Sequence, residues 1–239
     1  MKVSQLWKAE HKSRIKRRAL VIIPTLMLAV SLAFITLYSQ NAGNFTLEVE
    51  KSARNHIQIG SNLSEGKLSD GTSLLRVPNQ KRNEITYFRD VIARIPDMQK
   101  NQGVYQAENI NFLNYTFYMT NPNALESVNI EYSIILEENL NDMASAIRIL
   151  IVKDQSYKMY QKKEPTVIED YPIFENSDFI ENSDEIIREQ LLDVKAGEII
   201  KFTIAVWLEI ADPDAHKPQM ETGGVKFSMV FKTFDLTGS

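Results

Sequence analysis

From residue 207 to 216 the sequence reads Trp-Leu-Glu-Ile-Ala-Asp-Pro-Asp-Ala-His. Four of these residues, Glu209, Asp212, Asp214 and His216, carry oxygen or imidazole donors of the kind that bind divalent ions. A divalent metal is therefore the one cofactor the residue types admit, and such a set would serve a metal-dependent hydrolase of the cell surface. The same stretch also reads as architecture. A strand ends in a buried Trp207, and Asp212-Pro213-Asp214 turns the chain through Asx hydrogen bonds and the fixed φ of proline. On that second reading there is no catalytic residue and no cofactor.

Other constellations are weaker. The tetrapeptide Glu-Asn-Ser-Asp occurs twice, at Glu175–Asp178 and Glu181–Asp184. Its oxygens could meet Ca²⁺, but it lacks the alternating Asp spacing and Gly that focus ligands on one point, and it reads as a solvated loop. Ser64 and Lys67 have the spacing of a penicillin-binding nucleophile. They sit in a Gly-rich loop with no SDN or KTG partner, so chance explains them. The three histidines, His11, His56 and His216, are isolated from one another, and no HExxH, GxSxG, P-loop or EF-hand pattern occurs. The chain has no cysteine, which excludes thiolate metal sites and a cysteine nucleophile.

The elements that must position these residues are mostly strands. Phe45, Leu47 and Val49 alternate with polar residues, and the period of two returns at 112–120, 128–136, 148–152, 157–160, 199–209 and 225–234. Leu191–Val194, a turn at Lys195-Ala196-Gly197 and Ile199–Glu209 read as a hairpin. Tyr87, Phe88, Val91, Ile92 and Ile95 have helical spacing, with Pro96 expected to close the segment. Asp142 is expected to cap a short helical turn. The residues from Gly60 to Ser73 read as a loop. Many short strands between turn signals predict a mainly β, antiparallel β-sandwich.

Ahead of this region lies Ala19–Tyr38, twenty residues without a charge. As a helix it spans about 30 Å, the thickness of bilayer hydrocarbon. Residues 1–18 carry seven cations and one anion, while the whole chain is near −4, leaving the remainder near −10. Lys and Arg beside a span mark its cytoplasmic end. The expected organisation is a basic cytoplasmic segment at 1–18, a transmembrane helix at 19–39 acting as a signal anchor, and an extracytoplasmic domain at 40–239. The lipid bilayer is then a partner of the first forty residues. An acidic outer domain argues against nucleic acid.

Several stretches together resemble bacterial surface proteins of the TasA/camelysin type and related anchored proteins of unassigned function. They are NYTFYMTN at 114–121, DMASAIRI at 142–149, AGEIIKFTIAVWLE at 196–209, the Asp212–Asp214 turn and Gly223-Gly224 before the last strand. The resemblance implies a jelly-roll-like fold on the cell surface, with roles as biofilm matrix fibres and, for some members, metalloprotease activity. Taken together, the residues and the resemblance give a membrane-anchored, single-pass surface protein. Its expected role is structural, in the matrix, or in contact with other surface proteins or with itself. The rivals are the metal-dependent hydrolase above and an accessory subunit of an envelope secretion or conjugation complex.

Overall fold

Alternating apolar side chains converge here from two separate sheets. The computed structural model describes residues 45–235 apart from 79, 81–84, 109, 124 and 164–174. The strands are β1 (Phe45–Val49), β2 (Gln58–Gly60), β3 (Leu63–Ser64), β4 (Lys67–Leu68), β5 (Leu74–Arg76), β6 (Ile85–Thr86) and β7 (Leu113–Thr120). After these come β8 (Val128–Leu140), β9 (Ile147–Lys153), β10 (Ser156–Gln161), β11 (Glu175–Asp178), β12 (Glu185–Val194), β13 (Ile199–Glu209) and β14 (Gly224–Thr233). The one α-helix among the described residues is α1 (Phe88–Lys100). One sheet runs β12-β8-β14-β1-β5, and the other runs β11-β10-β9-β13-β7-β2 with β6 beside the end of β13.

The facing sides of the two sheets form the main core. Phe117 on β7 and Phe202 on β13 stack with centroids 5.2 Å apart, and Phe231 from β14 meets both edge-on. Tyr132 from β8 meets Phe202 at 80°. Burying such side chains contributes about 1.5–3 kcal/mol each, so this aromatic knot holds the layers together. Between β10 and β12 a polar clasp spans the two sheets. The Tyr160 hydroxyl and the Lys158 ammonium both donate to Glu189 Oε1, at 2.8 and 2.6 Å.

A third layer covers the far side of the larger sheet. Val91, Ile95 and Met98 recur along one face of α1 and bury against Leu150, Val152, Met159, Ala205 and Trp207. This explains why β7 is buried at every position despite its alternation. Its apolar parity faces the main core. Its polar parity faces the helix, where Thr116 Oγ1 donates to the Met98 carbonyl at 3.0 Å.

The fold departs from expectation in several places. The sandwich is not a purely antiparallel jelly roll. Three pairings, β1 with β14, β10 with β11 and β6 with β13, are parallel, so the sheets are mixed. No helix among the described residues is long and apolar enough to cross a membrane. The apolar run at 19–39 and the basic segment before it lie outside those residues. β12 and β13 do not form a hairpin, because they belong to different sheets and their apolar faces meet across the core.

Local departures follow the same logic of tertiary partners overriding local signals. Pro96 sits inside α1 rather than ending it. Beyond it the last turn, to Lys100, meets tertiary partners: the Thr116 hydroxyl donates to the Met98 carbonyl and the Lys201 ammonium to that of Gln99. Asp142 does not cap with its side chain. It adopts φ 57°, and its carbonyl accepts from the Ser145 amide and hydroxyl. The first Glu-Asn-Ser-Asp copy is strand β11, not a loop. The stretch from Gly60 to Ser73 contains the hairpin β3–β4, closed by Glu65 and Gly66 with φ 49° and 72°, the pattern of a two-residue hairpin turn.

Candidate functional site

The turn after β13 gathers the four candidate ligands without pooling them. Glu209 closes β13 and is buried. Its Oε2 accepts from the indole Nε1 of Trp207 at 2.7 Å, and its Oε1 accepts from the Ala211 amide at 3.2 Å. Alternation along β13 places Trp207 and Glu209 on the helix-covered side, so the carboxylate follows the ring it serves.

Asp212 is fully buried and caps the 3₁₀ turn Pro213–His216. Its Oδ1 accepts from the Asp214 amide at 2.8 Å, and Pro213 occupies the first helical position, where a missing N–H costs nothing. Its Oδ2 accepts from Arg148 Nη1 at 2.9 Å. Arg148 comes from β9, directly opposite Trp207 in the ladder, and both side chains of the ion pair are at most 1 % exposed. Two charges removed from water this completely are held because each is the other's counterion.

The remaining two candidates face outward. Asp214 pairs with Lys217 at 2.6 Å. That ammonium, three residues on, draws the carboxyl below its ordinary pKa against the weaker opposing effect of burial. His216 is exposed, and its Nε2 lies 2.7 Å from the Ile210 carbonyl. Each candidate therefore has its own protein partner. Among the described residues no group of three or more His, Asp or Glu is placed to hold a metal ion.

The other sequence candidates are separated too. Ser64 and Lys67 pair across the β3–β4 turn, and neither opens a helix. The second Glu-Asn-Ser-Asp copy forms a turn with Asn182 at φ 57°. It lines a cleft of about 630 Å³ with Asn139, Asp142, Lys162 and Phe179. Lys162 and Asp142 stand 3.8 Å apart there, so the lining offers mixed charge rather than a focused field. A smaller cleft of about 490 Å³ lies between Ile85, Leu208, His216 and Met220.

No protein-family model matches the chain. No curated protein is similar to it at a significant level either. Among solved structures, two of the β-glucosidase from Kluyveromyces marxianus, one in complex with glucose, align with 75 % of this chain at 10 % and 11 % identity. Their TM-scores are 0.26 and 0.22, and this chain spans only 15 % and 14 % of theirs. A likeness of that size carries no argument about fold or activity.

Two features of the site escaped sequence reading. The partner of Asp212 is Arg148, 64 residues earlier. The available signal was a lone arginine inside the otherwise apolar run Ala146–Val152, which demands a buried counterion. The second lies outside that turn: Asp70 closes the loop that follows β2. Burial raises its pKa, but the Asn62 amide, the Ser61 hydroxyl and the Ser61 amide outweigh that and hold it below the ordinary value. A Cβ at Gly60 would collide with this carboxylate, so the glycine permits the closure.

Proposed function

We propose that this chain is a non-enzymatic surface protein. A β-sandwich lies outside the cytoplasm, is tethered to the membrane by the apolar stretch at 19–38, and works through contacts with other envelope or matrix proteins. One observation carries the reading. The stretch richest in chemistry-bearing side chains, Glu209 to His216, spends them on the framework: Trp207 holds Glu209, Arg148 holds Asp212 and Lys217 holds Asp214. The basic flank at residues 1–18 supports the orientation with the sandwich outside. The resemblance to surface proteins of the TasA/camelysin type agrees with a structural or matrix role.

The test uses the full chain with a C-terminal tag in its producing cells. Added protease should remove the tag from intact cells, and crosslinking should join the sandwich to envelope or matrix proteins. A tag protected until the cells are lysed overturns the outside placement. A strictly monomeric protein that crosslinks to nothing overturns the contact role.

A further inference from the structure

A sheet under tension fails in one of two ways. Load along the strands strains every ladder hydrogen bond together, whereas load across them opens the bonds one after another. Which occurs depends on whether the loaded strands are neighbours and whether they run the same way.

The first and last strands of this sandwich are neighbours and run parallel, in register from Phe45↔Phe227 to Val49↔Phe231. In a parallel pair the chain enters one strand and leaves the other at opposite ends. Tension between residues 45 and 233 therefore draws β1 and β14 past each other along their length. β14 is held on its other side by β8, from Gly224↔Leu140 to Thr233↔Ile130. β5 backs the other side of β1, and the Glu50 amide adds a bond to the Phe231 carbonyl at 2.9 Å. Sliding must also drag Phe45, Leu47 and Val49, each at most 1 % exposed, past Phe227, Met229 and Phe231 in the same core.

The geometry points to a mechanical clamp: β1 and β14 form a shear-loaded pair that lets the sandwich carry tension between its first and last strands. Its use, bearing load at the cell surface, rests on the tethered surface reading above; the mechanics do not. An antiparallel pairing of the same two strands would bring both load points to one end and open like a zip.

The chain has no cysteine, so two introduced ones give unique handles. The full chain in detergent is pulled by single-molecule force spectroscopy between Asn44→Cys and Asp235→Cys, which shears the pair. A second preparation is pulled between Glu50→Cys and Asp235→Cys. Both of these residues are exposed and lie where the parallel pair ends, so this geometry peels it. Rupture follows the unfolding rate under load, and the shear force is expected to exceed the peel force by at least about twofold at one loading rate. Leu47→Ala should lower the shear force, while Thr46→Ala on the opposite side of the strand should not. Equal forces in the two directions, or a higher peel force, overturn the clamp. The result is independent of where the protein resides, so it fails or stands separately from the protease test.

Discussion

The two outward faces of the sandwich treat polar side chains in opposite ways. Part of the larger sheet's outer side is roofed by α1, and on that side the following polar groups are buried with protein partners. Asn114 Oδ1 accepts from the Tyr105 amide at 2.8 Å, Thr116 meets Thr203 at 2.9 Å, and Arg148 meets Asp212. The smaller sheet has an open face whose cations reach solvent, and there one carboxylate, itself buried, is shared. Glu131 lies 2.8 Å from Lys232, 3.6 Å from Arg188 and 3.2 Å from Gln190, and the two cations are 40 % and 52 % exposed. Water reaches these cations and can replace a partner that they lose. Under the helix it cannot, so each loss leaves an unsatisfied group. Coverage, more than residue type, should set the cost of removing a polar side chain here.

The comparison breaks most visibly at Asp212. Replacing Asp212 with Ala takes from the buried Arg148 guanidinium the carboxylate 2.9 Å from its Nη1, and about 3–5 kcal/mol of stability should be lost. Urea unfolding followed by circular dichroism reads this as a lower midpoint. Combining Asp212→Leu with Arg148→Met removes both charges and should recover much of the loss, because an apolar pair of similar volume needs no desolvation. If Asp212→Ala proves no worse than a change on the open face, the roof has no energetic meaning.

A neutral pair sharpens the same point. Thr116→Val strands the Thr203 hydroxyl beneath the helix and takes one of two donors from the Met98 carbonyl, which keeps the Asn101 amide, at an expected cost of about 1–3 kcal/mol. Adding Thr203→Val removes the stranded hydroxyl, so the double variant should cost less than the sum of the two single ones. Strict additivity in a double-mutant cycle would show that the two hydroxyls do not act together.

How much of this was legible beforehand follows from what alternation encodes. A period of two states which residues share a face, so β1, β7, β13 and β14 were readable from their side chains. It does not state which strand lies alongside. The parallel pairing of β1 with β14 joins residues about 180 apart in sequence, and the separation of β12 from β13 depends on the core between them. The helix was readable at Val91 and Ile95, but the partners of its last turn beyond Pro96, on β7 and β13, lie later in the chain. At the candidate site the Asp-Pro-Asp turn could be read locally because Asx bonds are local. The Arg148–Asp212 pair could not, since a lone arginine announces the need for an acid and not which acid supplies it.

The smallest expected effect is on the open face. Burial alone would raise the pKa of Glu131, but Lys232, Gln190 and Arg188 together hold it below the ordinary carboxylate value. A carboxyl depressed in the folded state adds stability above its unfolded pKa, about 4, and loses that contribution as pH falls through the folded value. Glu131→Gln should therefore cost stability at pH 7, and less than Asp212→Ala, because the cations it leaves reach solvent. The gap from the parent protein in thermal melts should close as the pH is lowered below about 4. Half-molar salt should also narrow it at neutral pH, because Arg188 and Lys232 reach solvent and screening weakens their pull. Asp212→Ala, at an ion pair at most 1 % exposed, should keep its full cost in the same salt. A Glu131 effect that ignores salt, or an Asp212 effect that follows it, would reverse the assignment of the two faces.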